Sequence, residues 1–284
     1  MNLLMLVALG TLWGSSYLFI KITVAEVPAL TLVAGQLSLA TLIMWPLLRL
    51  RGLYMPRDRR LWRAYATLGL INAALPYALI SWGEQYISSG MAALLTSTMP
   101  IFTVFLAHLF VYDERASGTR LAGVTVGFVG VGLLLLPDMQ RGLKASMIGQ
   151  LAVVGAVFCY AGSAVFARRL LRGQSVLTST AGQLTAGSAM MVPLSLLIDR
   201  PFDLSLSTSV IASWVSLTVL GTVLAYILYF TLIERTSALY LSMVTYITPL
   251  SGLLLGRLVL DEPLSGATWG SLILILLGVL LVRI

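Results

Sequence analysis

Residues that could do chemistry are few in this chain. It has one histidine, His108, and one cysteine, Cys159, and it contains neither an H-E-x-x-H nor a G-x-S-x-G motif. A nucleophile needs a positioned base, and a metal ion needs several ligands. The sequence therefore predicts a protein that is not an enzyme and that has no metal or other cofactor. For His108, a proton-coupling role and a structural hydrogen bond both stay open.

Two glutamines lie inside long apolar runs, where an unpaired amide is costly. Gln36 and Gln183 each occur in the same four letters, AGQL, at residues 34–37 and 181–184. One interpretation is a hydrogen bond between helices. The other is a place in the wall of a cavity, with the two amides near gates on opposite sides. At a helical rise of about 1.5 Å per residue, each lies roughly 9 Å from its nearer membrane surface.

Aromatic and hydroxyl side chains lie within the same apolar runs, although tyrosine and tryptophan usually collect at membrane interfaces. They predict an aromatic cavity with neutral hydrogen-bonding groups, suited to a zwitterionic or amphipathic solute, with core packing as the alternative for each residue. The candidate substrate-binding residues are Trp13, Ser16, Gln36, Tyr77, Ser81, Thr98, Tyr160, Ser163, Gln183, Tyr226, Tyr229 and Tyr246.

Two prolines near the middle of apolar runs predict helix kinks. Pro100 and Pro249 cannot donate a main-chain hydrogen bond, which leaves the carbonyls of Thr96 and Thr245 without their usual partners. In hydrocarbon such a carbonyl must be satisfied by side chains, water or ligand. A kink beside a polar cavity is one interpretation. The other is that nearby hydroxyls simply satisfy their own helix.

The elements that must position these groups are membrane-spanning helices. Of the 284 residues, 58% are hydrophobic and 10% are charged, and the mean hydropathy is +0.95. About 20 apolar residues are needed to cross a bilayer as a helix. The chain supplies ten such runs, which predict an all-α integral membrane protein. They lie at about 3–24, 30–50, 61–81, 90–111, 119–137, 148–168, 177–198, 210–232, 238–259 and 267–284.

The repeated AGQL belongs to a longer internal duplication. At a shift near 147 residues, Pro46 falls on Pro193 and Asp113-Glu114 falls on Asp261-Glu262. The sequence therefore predicts two five-helix repeats, residues 1–146 and 147–284. Because five is odd, the second repeat must be inverted in the membrane. Tyr160 and Ala161 replace Trp13 and Gly14, and Pro76 has no counterpart, so the halves are not expected to move identically.

Positive charge supports the inversion, since lysine and arginine accumulate in short cytoplasmic loops. The second loop carries six arginines between Arg49 and Arg63, while its counterpart in the second repeat carries only Arg200. The loop after the first span has no positive residue, while its counterpart has three. Both termini are therefore expected to be cytoplasmic. The net charge of +7 has this topological origin and does not indicate nucleic-acid binding.

Inverted repeats are typical of alternating-access transporters, whose solute site lies between the halves. The sequence therefore predicts a transporter, with a channel as the less favoured alternative. Proton-driven carriers usually place an ionisable group inside the membrane. Because Glu84 and Glu234 fall at the ends of spans, facilitated diffusion or weak coupling is expected.

Glycines four residues apart predict close helix contacts. They occur at 10–14, 123–127, 252–256 and 266–270 and would serve internal packing or a homodimer.

Glu114 and Glu262 each follow a span, and we expect them to anchor loops or helix ends.

The start WGSSYLFIK and the paired stretches PIFTVFLAHLFVYDE and PLSGLLLGRLVLDE, each followed by a glycine-rich helix, resemble the paired EamA repeats of the drug/metabolite transporter superfamily. The resemblance covers essentially the whole chain. It implies a multi-pass exporter of small metabolites in a bacterial inner membrane, most similar to YddG-type amino-acid exporters. Neutral or aromatic amino acids are the expected solutes; a nucleobase, a drug or an amphipathic cation is the alternative.

Overall fold

Hydrophobic helices make up the architecture, as the apolar runs predict. A computed structural model describes residues 1–110, 117–142, 144–171 and 173–282. Within these residues, nine helices are long and apolar enough to cross a membrane, and the shorter apolar helix Gly266–Leu281 completes the series. The all-α membrane fold is therefore confirmed. Large side chains such as Leu42 and Leu258 are 70% and 77% exposed, as helices facing lipid require.

Within the described residues, ten spans can be followed. Six are continuous helices: α1 (Asn2–Thr23), α2 (Ala29–Leu50), α7 (Gly118–Gln140), α8 (Lys144–Leu170), α9 (Val176–Ile198) and α14 (Gly266–Leu281). The other four spans are each built from two helical pieces: α3 (Arg59–Gly69) with α4 (Leu75–Gly83), α5 (Ser89–Thr96) with α6 (Met99–Phe110), α10 (Thr208–Ser216) with α11 (Ala225–Arg235), and α12 (Ala238–Ser242) with α13 (Val244–Leu260).

Two of the interrupted spans contain a π-helical segment. The first segment covers Leu70–Ala74, between α3 and α4. The second covers Leu217–Leu224, between α10 and α11. The segments begin 147 residues apart, which is the spacing of the two AGQL strings. A π segment inserts one residue into the helical turn and is frequent at functional sites. Pro76, which has no N–H, lies two residues after the end of the first segment, whereas the second segment has Gly221 and no proline.

The other two interrupted spans are broken near the predicted kinks. In the fourth span the break is at Ser97 and Thr98, just before Pro100. In the ninth span it lies at Met243, while Pro249 sits inside the uninterrupted helix α13. The break in the ninth span is therefore not at the proline.

The hydroxyls beside the breaks donate to carbonyls of their own helix. Ser97 Oγ and Thr98 Oγ1 donate to the carbonyls of Leu94 and Leu95, each at 2.6 Å. Thr248 Oγ1 donates to the carbonyl of Val244 at 3.0 Å. These hydroxyls thus bond within their own helix, but none of the three bonds is to the carbonyl of Thr96 or Thr245.

Two faces of the helix bundle can be distinguished by their loops. The Glu26 carboxylate accepts a hydrogen bond from the Ser207 N–H, and the Glu262 carboxylate accepts one from the Ser89 N–H, each at 2.7 Å. The Lys21 ammonium near the end of α1 also donates to the carbonyls of Glu84 and Ile87. Loops 24–28, 84–88, 199–207 and 261–265 therefore share one face, called here the Glu84 face. The segment 51–58, with its flanking arginines, lies at the opposite end of α2, on the arginine-rich face.

Several of the paired glycines pack helices of the two predicted halves together. A Cβ at Gly278 of α14 would lie 2.7 Å from the Gly127 nitrogen and 2.8 Å from the Gly123 oxygen of α7. Gly14 of α1 faces the main chain of α13 in the same manner. By contrast, nothing lies within 4 Å of a Cβ at Gly266. The glycine pairs thus serve internal packing at most of these positions, because they let backbones approach.

We expect Gly278→Ala to lower the free energy of unfolding by about 1–3 kcal/mol, the usual cost of overpacking. The added methyl group would meet main-chain atoms of α7, which cannot move away as a flexible side chain can. The thermal unfolding midpoint of the purified protein in detergent measures the effect. Gly132→Ala is the matched control, because its Cβ would have nothing within 4 Å. Equal midpoints for the two variants would contradict the prediction.

Candidate functional site

The two predicted glutamines make related hydrogen bonds across the halves of the chain. Gln36 Nε2 on α2 donates to Thr222 Oγ1 at 3.0 Å. Asn72 Nδ2 donates to Gln183 Oε1 on α9, also at 3.0 Å. Thr222 and Asn72 each lie in a π-helical segment. Each AGQL helix is therefore joined to the π segment of the other half.

The glycine before each glutamine makes room for an aromatic ring. A side chain at Gly35 would overlap the indole of Trp214, and one at Gly182 would overlap the ring of Tyr65. The Trp214 indole N–H also donates to the Leu32 carbonyl at 2.9 Å. The short repeat therefore has a structural meaning: the glycine receives a ring from the other half, and the glutamine binds that half's π segment.

Asn72 is a site residue that the sequence reasoning missed. Besides binding Gln183, its Oδ1 accepts a hydrogen bond from Ser163 Oγ at 2.8 Å. Gln183 Nε2 in turn donates to the Ser179 carbonyl at 3.2 Å. The network joins spans three, six and seven. The argument that singled out the glutamines, an amide inside an apolar run, could also have found this asparagine in LINAALPY.

A line of hydroxyls holds α2 against α9. Ser38 and Ser188 are 2.8 Å apart at their Oγ atoms, and the Trp45 indole N–H donates to Thr185 Oγ1 at 3.0 Å. Nearer the Glu84 face, Thr31 Oγ1 donates to Asp199 Oδ2 at 2.8 Å. Residue numbers rise along one helix as they fall along the other, so the helices are antiparallel. Equivalent helices of the two halves therefore form a polar seam.

Predicted cavity residues also form an aromatic group at the centre. Tyr77, Tyr160 and Tyr226 are half-buried, belong to one packed core and lie close enough to affect one another electrostatically. Trp13 and Tyr229 are in contact, with ring centroids 5.6 Å apart. Tyr17, which the sequence reasoning did not select, joins this group from α1. The rings offer hydroxyls and π faces without a fixed charge.

The remaining predicted residues divide into two sets. Ser16 Oγ donates to the Leu12 carbonyl at 3.0 Å and lies against Gly221 of the second π segment, and Tyr246 packs against the main core. Ser81 is fully buried and has no hydrogen-bond partner in the part of the chain that the structure describes, and Thr98 is bonded within its own helix. The structure thus brings Ser16 and Ser163 to the π segments, together with the glutamines, but it does not bring Ser81 or Thr98 there.

Charge is concentrated at the ends of the spans. On the Glu84 face, hydrogen bonding from the Ser207 main chain lowers the pKa of the exposed Glu26 carboxyl. Glu262 accepts hydrogen bonds from Ser89 and Gly90 at the start of α5, so its predicted role at a helix end is observed. Glu114 lies outside the described residues. In the described part of the chain, no three His, Cys, Asp or Glu residues are grouped so as to hold a metal ion.

Comparison with known proteins gives a consistent result. The family model described as the EamA-like transporter family matches residues 1–136 and 147–284. "Protein PagO" of Salmonella typhimurium is 25% identical over 244 residues, covering 85% of this chain and 79% of that protein. The "Uncharacterized inner membrane transporter YedA" of Escherichia coli K12 is 27% identical over 234 residues, covering 82% and 74%.

A solved structure supports the fold. It is described only as "Crystal structure of protein", has a TM-score of 0.68 and 20% sequence identity, and is matched over 99% of this chain and 95% of its own. At this identity the likeness extends to the fold alone.

We expect the Gln36–Thr222 hydrogen bond to contribute measurably to stability. A double-mutant cycle with Gln36→Leu and Thr222→Val should give an interaction energy of about 0.6–1.7 kcal/mol, the range for hydrogen bonds between membrane helices. The measured quantity is the free energy of unfolding in detergent or bicelles. As a control, Gln36→Leu combined with Thr67→Val should be additive, because Thr67 is exposed and bonds its own helix. An additive Gln36–Thr222 cycle would contradict the assignment.

Proposed function

Because the chain belongs to the EamA-like transporter family, we propose that this membrane transporter exports small metabolites, most suitably neutral or aromatic amino acids, by alternating access. The solute would be held between the two halves, where the glutamines, the π segments and the tyrosines meet. Family membership supports transport as such. The solute class and the direction of transport are the proposal.

One observation carries the mechanism: each AGQL helix is bonded to a π segment of the other half. In an inverted repeat, the two halves can exchange conformations, so that opening to one face becomes opening to the other. The two contacts join corresponding helices and π segments, but the Gln36 side chain donates to Thr222, whereas the Gln183 side chain accepts from Asn72. Gln36 binds one hydroxyl, whereas Gln183 belongs to a network with Asn72, Ser163 and Ser179. This difference favours breaking the Gln36 contact first.

The chemistry of the central groups supports a zwitterionic or uncharged solute. The tyrosine hydroxyls, the Asn72 amide and the glutamine amides can donate to a carboxylate and accept from an ammonium group, while the rings contact an aromatic side chain. A phosphorylated solute would need arginine or lysine deep in the site. The described central residues supply neither, so phosphorylated sugars fit less well.

We further propose that export follows the gradient of the solute, by facilitated diffusion or with weak coupling, and that the protein lies in a bacterial inner membrane with both termini cytoplasmic. The arginines flanking segment 51–58 support that orientation through their preference for the cytoplasmic side. The protein needs no nucleic acid or cofactor for this activity. A homodimer is compatible with it and is not required.

Two alternatives use the same fold. The solute could be another metabolite or a drug, such as a nucleobase or an amphipathic cation, which the aromatic group would also accommodate. A channel is the second alternative, since inverted repeats occur in channels too. Saturable counterflow separates a carrier from a channel.

The direct test is uptake of labelled solutes into proteoliposomes that contain the purified protein. The panel should include neutral, aromatic and charged amino acids and a nucleobase, each with an unlabelled solute trapped inside. We expect saturable counterflow of neutral or aromatic amino acids. If no amino acid shows counterflow and the nucleobase does, the proposed solute is wrong and a nucleobase takes its place. Non-saturable flux would favour the channel.

A tyrosine substitution tests the central group. Tyr77→Phe should lower kcat/KM for the transported solute by up to about tenfold, since one hydrogen bond contributes about 0.5–1.5 kcal/mol. Tyr54→Phe is the matched control, because Tyr54 is exposed and lies outside the spans. Equal kcat/KM values for Tyr77→Phe and the control would contradict a role for the Tyr77 hydroxyl in solute binding.

A further inference from the structure

Glu84 is a buried carboxyl group that the proposed transport mechanism does not use. It directly follows α4 at the end of the third span, and its exposed fraction is 0%. Both carboxylate oxygens are buried and have no hydrogen-bond partner among the described residues. An ionised carboxylate in such a place is costly, because no water or donor replaces its hydration. A protonated carboxyl group is much cheaper to bury.

The nearest positive charge does not hydrogen-bond to this carboxylate. The Lys21 ammonium on α1 donates to the main-chain carbonyls of Glu84 and Ile87, the second at 2.8 Å. Its charge favours the ionised form of Glu84, but burial outweighs it. As a result, the pKa of the Glu84 carboxyl is raised well above its usual range, chiefly by desolvation.

Two further titratable groups surround Glu84. Glu262, in the loop after α13, adds negative charge that disfavours ionisation of Glu84. Its own oxygens are occupied by the Ser89 and Gly90 N–H groups and the Ser89 hydroxyl, at 2.7–3.0 Å. Tyr17, one turn before Lys21 on α1, approaches from the centre of the bundle. The acid thus lies where α1, the third span, the start of α5 and a loop of the second half meet.

A cavity borders Glu84 on the Glu84 face. It has a volume of about 610 Å³ and is lined by Lys21, the segment Val24–Pro28, Glu84 and Gln85. Glu26 in its wall binds the Ser207 N–H of the second half. The cavity borders Glu84, whose carboxylate oxygens are themselves buried. The arginine-rich face, at the opposite end of the spans, is far from it.

We propose that Glu84 is a proton-binding site, filled and emptied from the Glu84 face, and that its occupancy controls how stably this face is closed. The proton site itself is independent of which solute is carried. Its effect on transport rests on the proposed function.

The direction of the effect follows from linkage. With the proton bound, the neutral carboxyl group stays buried and Lys21 keeps its bonds to the main chain. When the proton leaves, the carboxylate must gain water or the Lys21 ammonium, and either change loosens the contacts that close this face. The closed arrangement is thus fully stable below the ordinary pKa of a glutamate. It loses stability as the pH rises through the elevated pKa, by up to about tenfold in population per pH unit for one proton.

Access from one face also explains how this site fits export along the solute gradient. A proton that enters and leaves by the same face does no work across the membrane. The pH on the Glu84 face should therefore change the rate of transport, whereas a pH gradient should not drive accumulation of the solute.

The first experiment detects the proton without transport. Difference infrared spectra of the purified protein in lipid are recorded against pH for the wild type, Glu84→Gln and the control Glu26→Gln, which removes an exposed acid of the same face. We expect a protonated-carboxyl carbonyl band that persists above the ordinary titration range of a glutamate in the wild type and Glu26→Gln and is missing in Glu84→Gln. Identical titrations of the wild type and Glu84→Gln in folded, monodisperse samples would overturn the proposal, whatever the solute.

The second experiment measures the consequence in proteoliposomes, with the pH changed on one face at a time. Counterflow of the solute found in the panel should depend on the pH of the Glu84 face in the wild type and in Glu84→Asp, which keeps a carboxyl group. It should be independent of this pH in Glu84→Gln, whose neutral amide mimics the protonated acid. A pH dependence retained by Glu84→Gln would overturn control by this site, and solute accumulation driven by a pH gradient would overturn the single-face route.

Discussion

The absence of water inside a bilayer is the constraint on which the rest of this structure depends. Each polar group in a span must find its partner in protein or solute. Gln36, Gln183 and Asn72 meet this requirement by bonding between spans. The hydroxyls of Ser97, Thr98 and Thr248 meet it by bonding within their own helix. Hydrogen bonds between spans join the two halves, whereas hydrogen bonds within one helix do not connect them.

Hydrogen bonds between spans occur along the seam between α2 and α9 and at the two π segments. A regular α-helix satisfies its main chain completely and offers a neighbour only side chains. A π segment widens the helix locally and redirects the side chains beside it. Asn72 and Thr222 occupy these places, and each reaches the glutamine of the opposite half. The glycine before each glutamine lets Trp214 or Tyr65 approach. In both halves, therefore, a glycine that leaves space for an aromatic ring is followed by a glutamine that bonds to the opposite half.

The halves are related but not identical, and their differences are located where conformational change would occur. Pro76 follows only the first π segment, and the fourth and ninth spans break at different distances from Pro100 and Pro249. The ends of the bundle differ as well. Glu84 is buried beside Lys21 and Glu262 on one face, while arginines flank the segment 51–58 of the other. The described central residues are neutral and the ends are charged, so the proposed solute site and the proposed proton site lie in different parts of the bundle.

The sequence by itself determined the membrane class, the succession of spans and the inverted relationship of their charges, because hydrophobic length and charge placement are local properties that hydrocarbon imposes. It also directed attention to Gln36 and Gln183. Only the tertiary structure decided which groups meet: that Asn72 belongs to the network, that the ninth span breaks at Met243, and that Glu84 is fully buried without a partner among the described residues. Burial and hydrogen bonding depend on neighbours distant in the chain, such as Thr222 for Gln36 and Glu262 for Glu84. A position near the end of a span does not reveal whether the fold covers it.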